Sequence, residues 1–94
     1  MEEIPAKFLP IGTVVMLKDA TKRLMITGFC ITENGKEDKV WDYCGSLFPE
    51  GNIEANRNYL FDHEQIDKVY HLGLVDEEEQ QFKNVLNQIV NQEQ

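Results

Sequence analysis

Hydrophobic positions fall into four or five short runs followed by one spaced stripe. Thr13-Val14-Val15-Met16-Leu17 is an unbroken run of β-formers, apolar on both faces, and predicts a covered strand. The polar stretch Lys18 to Lys22 ends it in a turn. Arg23 to Glu33 alternates, with Leu24, Ile26 and Cys30 on one side and Met25, Thr27, Phe29 and Ile31 on the other. Gly28 interrupts that alternation and marks a bulge or a close backbone approach. Asn34-Gly35 is a strong hairpin signal, and the loop is expected to continue through Lys36-Glu37-Asp38. Lys39 to Leu47 then returns antiparallel, Trp41, Tyr43 and Gly45 alternating with Val40, Asp42 and Cys44. Phe48-Pro49-Glu50-Gly51 reads as a turn, Asn52 to Asn58 as a polar loop, and Asn58 to Phe61 as a short fourth strand.

The flanking segments follow different rules. Met1 to Pro10 is an irregular lead-in, because Pro5 and Pro10 discourage regular structure. Asp62 and Gln65 stand at capping-box spacing and predict one helical turn. Over residues 67–74 the alternation suggests a fifth strand, while Ile66, Val69 and Tyr70 would also share a helical face. Gly73 and the β-branched and aromatic residues favour the strand. The final segment is clearest. Asp76 is placed to cap, Glu79 holds the capping-box position, and Glu77, Glu78 and Glu79 put negative charge at the positive end of a helix dipole. Phe82, Val85, Leu86, Ile89 and Val90 follow in steps of three and four, a narrow apolar stripe opposite a polar face.

This order predicts an α+β protein: an antiparallel sheet of four to five strands, curled as a partly open barrel, followed by one C-terminal amphipathic helix. A single domain is expected over residues 1–94, with the sheet in 9–75 and the helix in 76–92. The helix either closes one end of the sheet or leaves to join a partner.

Composition narrows the function. With 94 residues, 41% of them apolar, the chain supports one modest core. Its net charge of −8 is uneven: residues 1–60 hold nine acids and seven bases, and residues 61–94 hold eight acids and two bases. Nucleic acid and anionic membrane surfaces are therefore disfavoured, whereas a basic protein surface is compatible. The start of the chain has no basic n-region, and no run approaches the roughly 20 apolar residues of a membrane span, so the cytoplasm is the expected compartment.

Candidate chemistry is sparse, and no catalytic, cofactor or metal residue is assigned. Cys30 and Cys44 are expected as small buried hydrophobes, a disulfide being open to them only if their strands pair closely. His63 and His71 lack a partner at metal-ligand spacing, Glu64 and Asp67 offering only a weak imitation. Ser46 stands beside Gly45 without a nucleophile-elbow motif. Asp42, between Trp41 and Tyr43, is the one acid in an apolar strand, and the expectation is a residue on the solvent face. The candidate partner-binding residues are Glu77, Glu78, Glu79, Phe82, Val85, Leu86, Ile89, Val90 and Trp41. Each has a plainer reading: a solvated first helical turn for the glutamates, a core-facing stripe for the apolar residues, and sheet core for Trp41.

Several motifs taken in order resemble one family. They are Leu9-Pro10-Ile11-Gly12-Thr13-Val14-Val15 with Leu17, Lys22-Arg23-Leu24-Met25-Ile26-Thr27-Gly28, Trp41-Asp42-Tyr43-Cys44-Gly45, Phe48-Pro49-Glu50-Gly51, and Asn58-Tyr59-Leu60-Phe61-Asp62-His63 with Ile66 and Val69. Over residues 9–75 the set resembles domain-of-unknown-function family four-one-seven-six of Gram-positive bacteria. That resemblance implies a small accessory protein encoded beside an LXG-type toxin of a type VII secretion system. The implied partner is the toxin's N-terminal helical region, with its small helical partners, bound before export by a targeting factor or chaperone. Two alternatives stay open: an immunity protein that binds the toxic domain, and a small-ligand-binding domain or enzyme with Trp41, Asp42 and Tyr43 as lining.

Overall fold

The computed structural model describes residues 4–33, 36–53 and 58–92. Five strands, β1 (Val14–Leu17), β2 (Leu24–Glu33), β3 (Lys36–Leu47), β4 (Tyr59–Phe61) and β5 (Ile66–His71), form one sheet in the order β4-β3-β2-β1-β5. Every neighbouring pair is antiparallel. A 3-10 turn, His63–Gln65, joins β4 to β5, and helix α1 (Glu77–Gln92) follows. Among the described residues no helix is long and apolar enough to cross a membrane.

The curl of the sheet follows from this connection. β4 and β5 are opposite edges, yet the chain leaves one at Phe61 and enters the other at Ile66. Fully extended, that stretch spans about 17 Å, and its 3-10 turn shortens it. A flat sheet would hold its outer strands about 19 Å apart. The edges therefore bend towards each other, and Phe61 and Ile66 enter one core. They do not pair, so the sheet is not closed into a barrel. Two bulges help the bend: Tyr70 and Asp67 are the extra residues where β5 runs along β1.

The bulge signalled by Gly28 is real and changes the reading of β2. Ile26 lies opposite Gly45 and Gly28 opposite Cys44, leaving Thr27 as the extra residue. The alternation is reset, so Phe29 faces the same core as Leu24 and Ile26 and lies opposite Tyr43. The expectation that Phe29 points away from Ile26 is thereby corrected. The Asn34-Gly35 signal lies outside the described residues, but Lys36 already pairs with Glu33, so β3 starts earlier than Lys39. The irregularity predicted as a longer loop is instead a register shift between Thr32 and Glu33. β5 ends at His71, short of Leu74.

The core is Phe8, Leu9, Val15, Leu24, Ile26, Tyr43, Phe61, Ile66 and Leu86. The lead-in is irregular, as predicted, but Phe8 and Leu9 plug the open end of the sheet rather than lying outside it. A run of aromatic rings leads from the core out to α1: Tyr43 stacks on Phe61 at 5.3 Å, Phe29 lies 6.0 Å from Tyr43, and Phe82 of α1 lies 6.0 Å from Phe29. Cys30 and Cys44 are half-buried, so their expected burial is only partly realised.

The junction after β5 is equally tight. Buried Thr13 accepts the Gly73 N–H through Oγ1 at 3.0 Å, and a Cβ on Gly73 would collide with the Ile11 carbonyl. Gly51, by contrast, needs only its positive φ of 76°, with open space beyond it. Gly73→Ala is expected to cost about 2 kcal/mol through overpacking against backbone. Gly51→Ala should cost only about 1 kcal/mol through its left-handed conformation. Urea denaturation of both variants checks this order.

Candidate protein-binding face

α1 begins where its cap predicts, with Asp76 Oδ1 accepting the Glu79 N–H at 2.9 Å. Its apolar stripe is divided. Leu86 is 6% exposed and enters the core, and Val90 is half-buried against it. Phe82, Val85 and Ile89 are 51%, 48% and 44% exposed. The core-facing expectation thus holds for Leu86 and in part for Val90, and fails for the other three. The geometric reason is rotation: Glu79, Lys83, Leu86 and Val90 form the side turned to the sheet, while Val85 and Ile89 sit on its flank.

The approach to the helix is also apolar. Leu72, Leu74 and Val75 are exposed, as is Ile11 of the lead-in. Ile11, Leu74, Phe82 and Leu86 join Phe8, Pro10 and Phe29 in lining a groove of about 350 Å³, with Asp76, Glu78, Glu79 and Lys83 as its polar lining. The groove unites Glu78, Glu79, Phe82 and Leu86 of the sequence-predicted set. Glu77 lies on the adjoining exposed first turn, and Val85 and Ile89 continue the apolar surface along α1. Trp41 stands apart from the groove lining, on β3, with the Lys39 ammonium 4.7 Å above its ring. Residue patterning missed Ile11, Phe29, Leu72, Leu74 and Val75. Val75 did carry a signal, being an apolar residue next to a helix cap, whereas Leu72 and Leu74 were absorbed by the alternation assigned to the fifth strand, which ends at His71.

A polar cluster gathers around Tyr43, on the other side of Leu9. The Tyr43 hydroxyl accepts the Leu9 N–H at 3.1 Å and lies 2.8 Å from His63 Nδ1. The two groups share one proton, the Tyr43 O–H donating to Nδ1 in one neutral tautomer of His63 and the Nδ1–H donating to the phenol oxygen in the other. Burial, aided by the Lys7 charge, holds His63 below its ordinary value, although Asp42 and a Pro5 backbone hydrogen bond pull the other way. Burial likewise raises the Tyr43 phenol.

Asp42 is not the solvent-face residue expected. Its Oδ2 accepts the His63 N–H at 2.9 Å and its Oδ1 pairs with Lys7 at 3.0 Å. Asp62 in turn accepts the Asp42 N–H at 3.1 Å and pairs with Lys39 at 2.7 Å. Its partial burial opposes ionisation, but those donors prevail and the carboxyl lies below its usual range. Gln65 accepts the Asp62 N–H at 2.8 Å, as the capping-box spacing predicts. The cluster thus fastens the lead-in, β3 and the 3-10 turn together, and its groups are occupied with one another. Among the described residues, no group of three or more His, Cys, Asp or Glu stands where it could hold a metal ion.

The outer face of the sheet has a different character. Arg23 lies 5.1 Å from the Phe48 ring and 5.4 Å from that of Tyr70, with Lys68 4.9 Å from Tyr70. Phe48 is fixed by its N–H to the Arg23 carbonyl at 3.0 Å.

The fold thus defines a small α+β domain with an open antiparallel sheet and a partly docked terminal helix. The sequence matches Domain of unknown function (DUF4176) over residues 8–82, and the chain belongs to that family. No curated protein and no solved structure matches it.

Tyr43→Phe leaves the Leu9 N–H and His63 Nδ1 without their shared partner and is expected to cost about 1–3 kcal/mol. For His63, a folded value below the unfolded one means that the unfolded chain binds the proton first. Its contribution to stability is therefore full above about pH 6.5 and is lost as pH falls below that. His63→Gln should flatten this part of the stability profile, measured by urea denaturation across the range.

Proposed function

We propose that this chain is a non-catalytic, protein-binding accessory factor of the cytoplasm. It is a targeting factor or chaperone that takes the N-terminal helical region of an LXG-type toxin before type VII export. The observation carrying the binding role is the apolar surface left open along Phe82, Val85 and Ile89 and across Leu74 and Ile11, beside the acidic start of α1. Contiguous apolar area rimmed by charge is characteristic of a surface that another protein covers. The choice of toxin rests on what the family resemblance implies, and the net charge of −8 suits a basic partner surface.

Co-purification with the toxin's N-terminal helical region, run beside its C-terminal toxic domain, tests the assignment. Capture by the N-terminal region alone is expected. Capture by the toxic domain would make the protein an immunity factor, and capture by neither would remove the toxin from the reading.

Exposure separates folding from binding along the helix. Ile89→Asp is expected to abolish capture while changing stability by only about 0.5 kcal/mol, as for an exposed position. Leu86→Ala should destabilise by about 3 kcal/mol, because it empties a core position. Thermal melts and pull-downs on the same preparations check both.

A further inference from the structure

Glu79 departs from the role its position predicts. The reciprocal hydrogen bond of a capping box would turn its carboxylate back to the Asp76 N–H. Asp76 does cap the Glu79 N–H, but the Glu79 side chain lies in the groove lining instead. Oε2 is 3.9 Å from the Lys83 ammonium, while Oε1 is buried and has no hydrogen-bond partner. The same groove is lined by Phe8, Phe29, Phe82 and Leu86. Asp76, Glu78, Glu79 and Lys83 are three acids against one base, so the lining carries a formal −2.

We propose that this groove is a receptor for one lysine or arginine side chain of the protein partner, with its cationic head paired with the Glu79 carboxylate. The proposal rests on the reading that this face binds a protein, and it specifies what the face selects. A long cationic side chain meets both demands of the site: its methylene stem covers apolar surface, and its charged end answers the excess negative charge of the lining. A neutral apolar side chain would fill the groove but leave its acidic lining unanswered. An acidic one would meet Asp76, Glu78 and Glu79. The matching partner motif is a Lys or Arg between apolar residues three or four positions away on one helix face.

The test uses phenethylammonium as the probe and phenethyl alcohol as its neutral counterpart, titrated at neutral pH into the full chain with amide resonances followed by NMR. The ammonium is expected to shift residues around Glu79, Phe82 and Leu86 and to bind about tenfold more tightly than the alcohol. Glu79→Gln should bring the two affinities together. Lys83→Met, which removes the competing cation, should widen their difference, and it keeps the test decisive if Glu79→Gln fails to fold. Equal binding of the two probes by the unaltered protein, selectivity that survives Glu79→Gln in the folded variant, a difference unchanged or narrowed by Lys83→Met, or shifts confined to another surface would overturn the proposal. Selective ammonium binding without capture of any toxin fragment would leave the receptor standing and remove the toxin assignment alone.

Discussion

The link between Phe61 and Ile66 is too short to cross a flat five-stranded sheet, and much of the architecture follows from that shortage of chain. The sheet bends until its outer strands are within reach, and the bend creates an inside. Ile26, Tyr43 and Phe61 fill it, and Phe8 and Leu9 seal its open end. The same bend brings the 3-10 turn beneath the lead-in, where His63 meets Tyr43 and Asp42. Buried polar groups in that position are stabilising only while each has its partner. The cluster therefore locks the crossing and the lead-in as a unit, and disturbing either exposes the other.

The two polar sites treat their charges in opposite ways. Around Tyr43, the Asp42 and Asp62 carboxylates are answered by Lys7, Lys39 and backbone donors, which leaves little for a ligand to satisfy. Beside α1, the acids outnumber the bases, and the apolar residues between them stay open. A closed network suits a structural joint, and an incomplete one suits a contact surface. That contrast favours the helix as the candidate site over the cluster that combines histidine, tyrosine and aspartate.

Local patterning reached the strands, the antiparallel order and the terminal helix because each is written in nearby residues. Gly28 announced the bulge in β2, and Asp62 with Gln65 announced the turn. What lay beyond reach depended on tertiary placement. One extra residue at Thr27 inverted the facing of Phe29, an effect that alternation alone cannot register. Asp42 looked like a solvent-face acid until the crossing placed the His63 N–H and Lys7 beside it. The stripe on α1 was legible as apolar, but which of its members would be covered depended on the helix rotation over Phe29. Glu79 sits at a position whose local rule says cap, and only the groove shows it turned elsewhere.

Open sheets carry a hazard that closed barrels avoid, since an unpaired edge invites another strand to add to it. Here both edges are poor templates. β4 is only three residues long, and β5 is broken twice by bulges and presents Asp67 and Lys68. Along β4 and β5 a second chain finds only short or broken rows of backbone donors and acceptors, the longer row lying in β3 beyond its pairing with β4 at Tyr43, Cys44 and Gly45. The molecule therefore displays exposed apolar side chains on its helix while β4 and β5 themselves offer little edge for strand addition.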